Sequence, residues 1–495
     1  MNGMPMHDVG VGELTKVCQE MLSGGGRMQM AYAWFPQPGE PAELRYLAAP
    51  GARQPFVLWR CRPDGAVVPS LASLSPLLGW YEREMTDLCG VRFDGHPEPY
   101  PLVLHEGVEL RTPPLDPHYP RTQALAYRQT PWRLPEIESR DVQLLPFGPV
   151  RADVFESAQF LFFYIGEGIL HLHPRLFFKH RGMEQRFEGL TPEMGVVLAE
   201  RVSGVGSVAH ALAYCQALEA ASGCTVPPRA QWLRVLLTEM ERLYNHQHYL
   251  GHLCHTTTLK VGEAEGKLLE ERVKQMNARL TGSRFLRGVL ALGGLRRDPN
   301  LAGLGADLDA FAREFAAYVG KLERTNSHLD RLITTGVLSR KVAFDQGAAG
   351  PVERASGLDR DLRRDHPYAA YDELAFTVAR RETGDAYARA QVRIAEAEAS
   401  MAIIQQVLSR LPEGTVRTPC VVPASSEGLG WSESPRGSLY YAVHIDASGR
   451  LARVKIKSPS FSNWRVFPFT VHGSNMMDYA INEASFGLTI AGCDR

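Results

Sequence analysis

The feature that most constrains the fold is a pair of long helical segments in the middle of the chain, between residues 192 and 254. In both segments, VVLAERVSGVGSVAHALAYCQALEAASG and RAQWLRVLLTEMERLYNHQHYLGHL, apolar residues recur at three- and four-residue spacing. That spacing is typical of helices packed against a core. Further helices are predicted at residues 263–281, 307–334 and 384–411. The sequence therefore predicts a large, mainly helical domain.

Residue patterns typical of β-sheets occur before and after these helices along the chain. Residues 142–185 alternate like a twisted antiparallel sheet and turn into a helix near Arg181. Residues 438–457 read as two strands joined by a hairpin turn at 446–449. We therefore expect residues 141–495 to form the helical domain, with antiparallel sheets at its edges.

The chain before residue 141 has a different pattern. Residues 1–107 predict a small α+β domain, with a helix at 11–22, strands at 28–36, 43–49 and 55–62, and a helix at 80–89. Residues 108–140 are rich in proline, which predicts a semi-rigid linker. The fold class predicted for the whole chain is α+β.

Charge and hydropathy exclude several classes of partner. The net charge of −1 gives no general attraction to nucleic acid, so no nucleic-acid partner is predicted. The most apolar stretch, FLFFYIGEGILHL, is broken by glycine and glutamate, and the first residues do not resemble a signal peptide. We therefore expect a cytoplasmic protein that meets a membrane only through partner subunits. The eight cysteines form no CxxC pair, which favours small buried side chains over metal ligands.

Residues 80–97, WYEREMTDLCGVRFDGHP, resemble the signature of the 30 kDa-type subunit of complex I. The resemblance rests on Trp80, on the ERE triplet and Asp87, and on the final GHP. The alternative interpretation of the same residues is a solvated acidic helix face followed by a turn.

The second domain resembles the large-subunit family shared by [NiFe] hydrogenases and the 49 kDa-type subunit of complex I, in particular the formate hydrogenlyase type. The resemblance rests on segments spread over the whole domain: PFGP, HRGME, AERVSG, VAHALAYCQALE, LTEMERLYNH, LTGSRF, GPVERASGLDRDLR, GDAYAR, ESPRG and SPSFSNW. It implies a subunit of a membrane-associated oxidoreductase.

The resemblance also implies where a metal would lie. A nickel–iron centre needs four soft thiolates from two CxxC pairs. The family pattern puts the first pair on Ser203 and Gly206 and the second on Thr489 and Gly492, and Cys493 is one residue out of register. These side chains cannot supply the thiolates, so we predict no metal site and no nickel hydrogenase activity.

Complex I uses the same cavity for the head group of a quinone, with two histidines and a tyrosine. The resemblance implies that their positions fall on Arg151, Phe155 and Pro192. The quinone-site residues are therefore absent as well. The predicted cavity contains these three residues together with the four former thiolate positions.

HRGME, at residues 180–184, is the remaining candidate. The resemblance implies that His180 and Arg181 lie beside a [4Fe–4S] cluster held by a partner subunit, where an arginine would raise the potential of the cluster. It also matches Glu184 to a glutamate that transfers protons, and an apolar cavity would raise the pKa of such a carboxyl. The alternative is a capped helix start with an Arg–Glu pair.

Other polar groups favour structural interpretations. His210 is expected to be a hydrogen-bonded core histidine, and LDRDLR is expected to form a charged network. The row of histidines in NHQHYLGHLCH is spaced for one helix face, with metal binding as the less favoured alternative.

Two functions follow from these predictions. In the first, the chain binds no cofactor of its own but passes electrons from a partner's [4Fe–4S] cluster to quinone or another small acceptor. The complex would be of the complex I or formate hydrogenlyase type, with NADH:quinone oxidoreductase-type activity. In the second, it is a redox-silent structural or proton-coupling subunit of such a complex. Both imply a small iron–sulfur subunit, other peripheral-arm subunits and antiporter-like membrane subunits as partners. Both also place the chain on the cytoplasmic side of the membrane.

Overall fold

The computed structural model describes residues 4–36, 39–63, 65, 67–120, 122, 126–128, 137, 139–151 and 156–495. No helix in this part of the chain is both long and apolar enough to span a bilayer. The α+β class predicted from the sequence is confirmed.

The N-terminal part is built on a four-stranded sheet of order β1-β4-β3-β2, in which β1 runs parallel to β4 and the other pairs are antiparallel. Its β2 and β3 are buried along almost their whole length. The sheet is therefore covered on both faces, by α2 on β2 and by the second domain. The elements before residue 128 are β1 (Met6–Asp8), α1 (Leu14–Ser23), β2 (Arg27–Trp34), β3 (Glu43–Ala49), β4 (Val57–Cys61), β5 (Val68–Pro69), α2 (Gly79–Cys89), β6 (Phe93–Asp94), β7 (Val108–Glu109) and β8 (Ala126–Tyr127).

The second domain begins with an antiparallel sheet of order β11-β10-β9 and continues into helices. Its first elements are β9 (Gln143–Phe147), β10 (Gln159–Ile165), β11 (Gly168–Arg175), α3 (Met183–Phe187), α4 (Pro192–Ala199), α5 (Ser207–Ser222), α6 (Pro228–Thr256) and α7 (Lys260–Thr281). The helical conformation predicted for the first segment after residue 192 is thus interrupted at residues 200–206, which form a turn.

The remaining elements complete the helical layer and add a second sheet. They are β12 (Leu290–Ala291), β13 (Gly294–Leu295), α8 (Leu304–Leu322), α9 (Asn326–Leu332), α10 (Arg340–Asp345), α11 (Pro351–Ala355), α12 (Leu362–Asp365), α13 (Ala386–Arg410), β14 (Glu427–Ser434), β15 (Gly437–Ile445), β16 (Leu451–Lys457), α14 (Pro459–Val466), α15 (Tyr479–Phe486) and α16 (Ile490–Asp494). The predicted hairpin corresponds to β15 and β16. The single helix predicted at residues 307–334 is wrong, because Thr325 leaves the helical conformation and separates α8 from α9.

The centre of the domain is α5, which lies directly on β14 and β15. Two glycines of β14 permit this close approach. A Cβ on Gly428 would collide with the carbonyl oxygen of Ala217, and a Cβ on Gly430 would collide with that of Ala213. Helix α6 packs on α5 from another side and carries buried charged residues along its length. This arrangement brings the turn before α5, the turn between β14 and β15, and the C-terminal helix α16 together.

Candidate functional site

The structure brings together three of the four positions on which the resemblance places thiolates. Ser203 and Gly206, from the turn between α4 and α5, meet Gly492 of α16 around a cavity of about 10 Å³. Thr489 is adjacent, because its hydroxyl lies 3.3 Å from that of Ser460, another lining residue. We call this space the serine-lined cavity; its lining also includes His210 and Arg436.

The side chains around the serine-lined cavity do not fit a nickel–iron centre. Ser203 offers a hydroxyl, and the hydroxyl of Thr489 accepts a hydrogen bond from the amide of Gly492 as the N-cap of α16. Cys493 is buried but does not line the cavity, and burial holds the pKa of its thiol well above the ordinary value. Hydroxyls at neutral pH are poor substitutes for the four soft thiolates that the centre needs.

The HRGME turn joins the two segments that carry these positions. One guanidinium nitrogen of Arg181 donates to the carbonyl of Val202 at 2.6 Å and to that of Ala491 at 3.1 Å. His180 is exposed and its Nδ1 lies 2.6 Å from the carbonyl oxygen of Asp494. The turn itself requires Gly182, which has a φ of +60° at the N-cap of α3. Arg181 therefore holds the turn before α5 against α16, His180 contacts α16, and both side chains reach the surface.

Glu184 lies in a dense buried ion cluster instead of an apolar cavity. Its carboxylate is 2.7 Å from Arg453, 2.9 Å from Arg495 and 3.2 Å from Lys455, and Glu84 closes the cluster at 2.6 Å from Lys455 and 2.8 Å from Arg495. Burial alone would raise the pKa of Glu184, but the three cations outweigh it and hold that pKa well below the usual range. The prediction of a raised pKa is therefore wrong. We call these five residues the Glu184 cluster.

Two of the residues predicted for the quinone site, Arg151 and Pro192, lie elsewhere. Arg151 is buried with its guanidinium 3.0 Å from Glu483 and stacked over Phe160. Pro192 is the first residue of α4, and its carbonyl accepts a hydrogen bond from Tyr214. Neither lines the serine-lined cavity. Phe155 lies outside the described residues.

Most of the lining residues were not predicted as site residues, and His210 and Arg436 are the two of them that matter most for the charge and hydrogen bonding of the cavity. His210 was expected in the core, and it is buried, but it also borders the serine-lined cavity. Arg436 belongs to the ESPRG segment, which carries the family resemblance without a role assigned to it. His210 and Arg436 lie more than 200 residues apart and meet only in the folded chain. In the sequence, only their position in two segments that carry the family resemblance pointed to a role in the site.

The charged motif LDRDLR divides into a buried and an exposed half. Asp361 and Arg363 pair at 2.8 Å and join a buried network, in which Arg363 reaches Glu239 at 3.2 Å. Asp359 instead pairs with Arg364 near the surface. The predicted charged network is thus found for Asp361 and Arg363. Arg360 lies at its edge, 3.3 Å from Glu353.

The histidines of α6 do not converge on one point. His246 is buried and lies 2.9 Å from Glu396, whereas His248, His252 and His255 stack along the exposed face with ring centroids 6.2 and 6.0 Å apart. Within the ranges that the structure describes, no group of three or more histidine, cysteine, aspartate or glutamate side chains is arranged to hold a metal ion.

The ERE motif of the N-terminal part is buried, so the alternative of a solvated acidic face is wrong for its glutamates. Glu82 accepts hydrogen bonds from Ser70 and from the amide of Leu71. Glu84 belongs to the Glu184 cluster and thereby joins the N-terminal part to the second domain.

A larger open cavity, of about 420 Å³, lies away from these residues and is lined by Arg53, Arg363, Arg364, Tyr371 and Phe376 among others. None of the predicted site residues borders it.

Comparison with known proteins matches three family profiles along the chain. "Respiratory-chain NADH dehydrogenase, 30 Kd subunit" matches residues 39–124, and "Nickel-dependent hydrogenase" matches residues 181–266. "Respiratory-chain NADH dehydrogenase, 49 Kd subunit" matches residues 268–427 and 418–495.

Individual relatives cover most of the chain. It is 31% identical to formate hydrogenlyase subunit 5 of Escherichia coli over 83% of this chain and 74% of that protein. It is 32% identical to the carbon monoxide-induced hydrogenase of Rhodospirillum rubrum over 68% of this chain and 94% of the relative. The C/D-type NADH-quinone oxidoreductase protein of Gluconacetobacter diazotrophicus is 28% identical over 86% of this chain and 79% of its own length.

Proposed function

Because the chain belongs to the family that [NiFe]-hydrogenase large subunits share with the 49 kDa subunit of complex I, with a 30 kDa-type domain fused ahead, we propose that it is a redox-silent large subunit of a complex of the complex I and formate hydrogenlyase type. In this role it organises partner subunits and couples their movements or proton transfer. It performs no redox reaction in its own cavity. The relatives named as subunits of formate hydrogenlyase and of NADH-quinone oxidoreductase support membership of such an assembly.

The observation that carries this proposal is the size and chemistry of the serine-lined cavity. Its volume of about 10 Å³ is the room that one water molecule occupies, whereas sites for organic cofactors measure about 300 Å³ or more. Its lining supplies hydroxyls where a metal centre needs thiolates. Both properties support the proposal that this cavity holds neither a nickel–iron centre nor the head group of a quinone.

The proposal assigns a different role to the HRGME turn. Exposed His180 and half-exposed Arg181 form part of the surface that meets the small iron–sulfur subunit, near its [4Fe–4S] cluster. A guanidinium close to the cluster would stabilise the reduced, more negative form of the cluster. Through its bonds to Val202 and Ala491, Arg181 would also transmit any displacement at this surface to both sides of the cavity.

The partners required are a small iron–sulfur subunit, other peripheral-arm subunits and antiporter-like membrane subunits. The chain would then be peripheral, on the cytoplasmic side of the membrane, and would contact the lipid only through those partners.

The test is carried out on the purified complex. We expect metal analysis to find iron but no stoichiometric nickel. After reduction of the clusters with dithionite, we expect their electron paramagnetic resonance signals to persist when a short-chain quinone is added. Stoichiometric nickel, or rapid loss of the reduced signals on addition of quinone, would contradict the proposal.

Electron transfer to quinone is the second candidate, and the relatives named as NADH-quinone oxidoreductase subunits favour it. In that case the clusters would be oxidised by quinone in the test above. The reaction would also be inhibited by replacing Ser203 with a bulky residue such as phenylalanine, because the side chain would fill the space between the turn and α16. Unchanged quinone reduction in Ser203→Phe would place the reaction outside this cavity.

A further inference from the structure

The serine-lined cavity contains polar groups that the protein leaves unused. Ser203 is buried, and no hydrogen-bond partner for its hydroxyl lies within the described ranges of the chain. The other three serines of the lining are already engaged, Ser460 with the hydroxyl and the backbone amide of Thr489. Ser434 donates to the carbonyl of Gly437, and Ser458 donates to that of Gly492. Their oxygens also accept, from the amides of Arg436 and Phe461 respectively.

His210 directs a further donor at the cavity. Its Nδ1 is 2.8 Å from the hydroxyl of Tyr441, which is completely buried and whose proton needs an acceptor. If Tyr441 donates, the proton of the neutral imidazole lies on Nε2. Burial, followed by the charges of Arg181 and Arg436, lowers the pKa of His210 to about 3, so the ring is neutral at physiological pH. The Cδ2–Nε2 edge faces Gly206, since a Cβ there would lie 3.2 Å from Cδ2 and 3.8 Å from Nε2.

Arg436 brings a charge that no carboxylate neutralises. Its Nε donates to the carbonyl of Gly487 at 2.7 Å, and Nη1 donates to the side-chain oxygen of Asn245 at 2.8 Å. Among the described residues, no aspartate or glutamate oxygen lies within 4 Å of the guanidinium. Partial removal of a cation from water without a counter-charge is costly, and a bound anion would offset that cost.

We propose that the serine-lined cavity binds one monoatomic anion of chloride size, held by Arg436, by Nε2–H of His210 and by the hydroxyl of Ser203. All three groups are donors, and one of them is charged. The volume of about 10 Å³ admits a single small particle and excludes sulfate, phosphate or a carboxylic acid. A chloride ion is larger than a water molecule, so the side chains of Ser203 and Arg436 have to move slightly apart to admit it. The anion site would lie where the family places its metal. This inference goes beyond the proposed function, because it holds whichever electron acceptor the complex uses.

The first experiment measures the thermal stability of the full chain at constant ionic strength in sodium chloride, bromide, gluconate or sulfate. We expect a saturable rise of about 2 °C in the melting temperature with chloride or bromide over gluconate or sulfate. The rise should disappear in Arg436→Gln. Equal effects of all four anions, or the same halide effect in Arg436→Gln, would overturn the proposal.

A matched control is available in Arg465→Gln. Arg465 is also a half-buried arginine with no carboxylate within 4 Å among the described residues, but it does not border the cavity. Arg465→Gln should keep the rise in melting temperature with chloride or bromide. Loss of that rise in Arg465→Gln would count against the assignment of the anion site to Arg436.

The second experiment needs no variant. Crystals of the chain grown in bromide should show an anomalous bromide peak between Arg436 and His210. A peak of water density without anomalous signal at that position would show that the cavity holds only water, and would overturn the proposal.

Discussion

Glu184 shows how a single residue can match a family motif and yet differ from it in electrostatic setting. Its carboxylate shares the Glu184 cluster with three cations, so it is held ionised. An ionised carboxylate paired with buried cations stabilises the interior and is a poor proton donor. The closing contact by Glu84 places a residue of the N-terminal part in direct electrostatic contact with the HRGME turn.

Replacing Glu184 by glutamine should lower the free energy of unfolding by about 3–5 kcal/mol, because it leaves buried cations without their partner. Since its folded-state pKa lies below the unfolded value, the carboxylate stabilises the fold above the unfolded pKa. That contribution is lost as the pH falls through the folded pKa. Urea unfolding between pH 7 and pH 3 measures both effects.

The exposed Glu20→Gln is the control and should change stability little at any of these pH values. A Glu184→Gln variant as stable as the wild type would show that the cluster does not depend on its carboxylate.

Arg181 is the second decisive residue, because it hydrogen-bonds to backbone carbonyls on both sides of the cavity. Arg181→Lys should not restore the full set of contacts, since Nη1 also donates to the carbonyl of Arg201 and a single ammonium nitrogen cannot reproduce the two-nitrogen fork of the guanidinium. We expect faster hydrogen exchange at the amides of α16 in both Arg181→Lys and Arg181→Ala, measured by mass spectrometry. The exposed Arg186→Lys is the matched control, and equal exchange in all three variants would contradict this role.

At the scale of elements, the position of the site depends on how closely α5 lies on β14. Helix α5 begins at the serine-lined cavity, so any displacement of the helix from the strand moves Ser207 and the turn that precedes it. The glycines of β14 are what permit the contact, because the backbone of α5 occupies the space that a side chain would fill.

Gly430→Ala should therefore destabilise the protein by about 2–3 kcal/mol or more, since its Cβ would collide with Ala213 and come within 2.5 Å of the amide nitrogen of Ala217. Chemical denaturation is the measurement. Gly12→Ala is the matched control, because nothing lies within 4 Å of a Cβ there and its φ needs no glycine. A similar small effect in both variants would mean that α5 can move away without cost.

At the scale of the whole molecule, the N-terminal part and the second domain share buried ion pairs. Besides the Glu184 cluster, Arg27 of β2 reaches Glu353 of α11 at 3.0 Å, and both side chains are buried. The sheet of the N-terminal part has little exposed surface of its own on β2 and β3. Ion pairs of this kind are broken when the two parts separate, which leaves uncompensated charges on both sides.

We therefore expect the two parts to unfold together in a single calorimetric transition. The variant Glu84→Gln should lower the midpoint of that one transition without splitting it. Two separate transitions in the wild type would show that the two parts are stable independently. That result would contradict an energetic coupling between the N-terminal part and the HRGME turn.

Much of the fold could be predicted from the chain alone. Strands β2, β3 and β4 and helices α2, α5, α6, α7 and α13 follow from local periodicity, which is set by neighbouring residues, whereas β1 was not predicted. The break at Thr325 and the strand β14 were missed, since both depend on packing against distant elements. The buried state of the ERE glutamates was likewise open to two interpretations until their partners were known.

The sequence by itself determined which atoms occupy the positions where the resemblance predicts thiolates, because the absence of a thiol is a property of the residue type and not of its surroundings. Only the tertiary structure decided how much space those residues enclose, that Glu184 is ionised, and that His210 and Arg436 face the same cavity. Each of these properties depends on groups that are remote along the chain, such as Glu184 and Arg453, 269 positions apart. Cavity volume and local charge arise from such contacts, and no local pattern of residues specifies them.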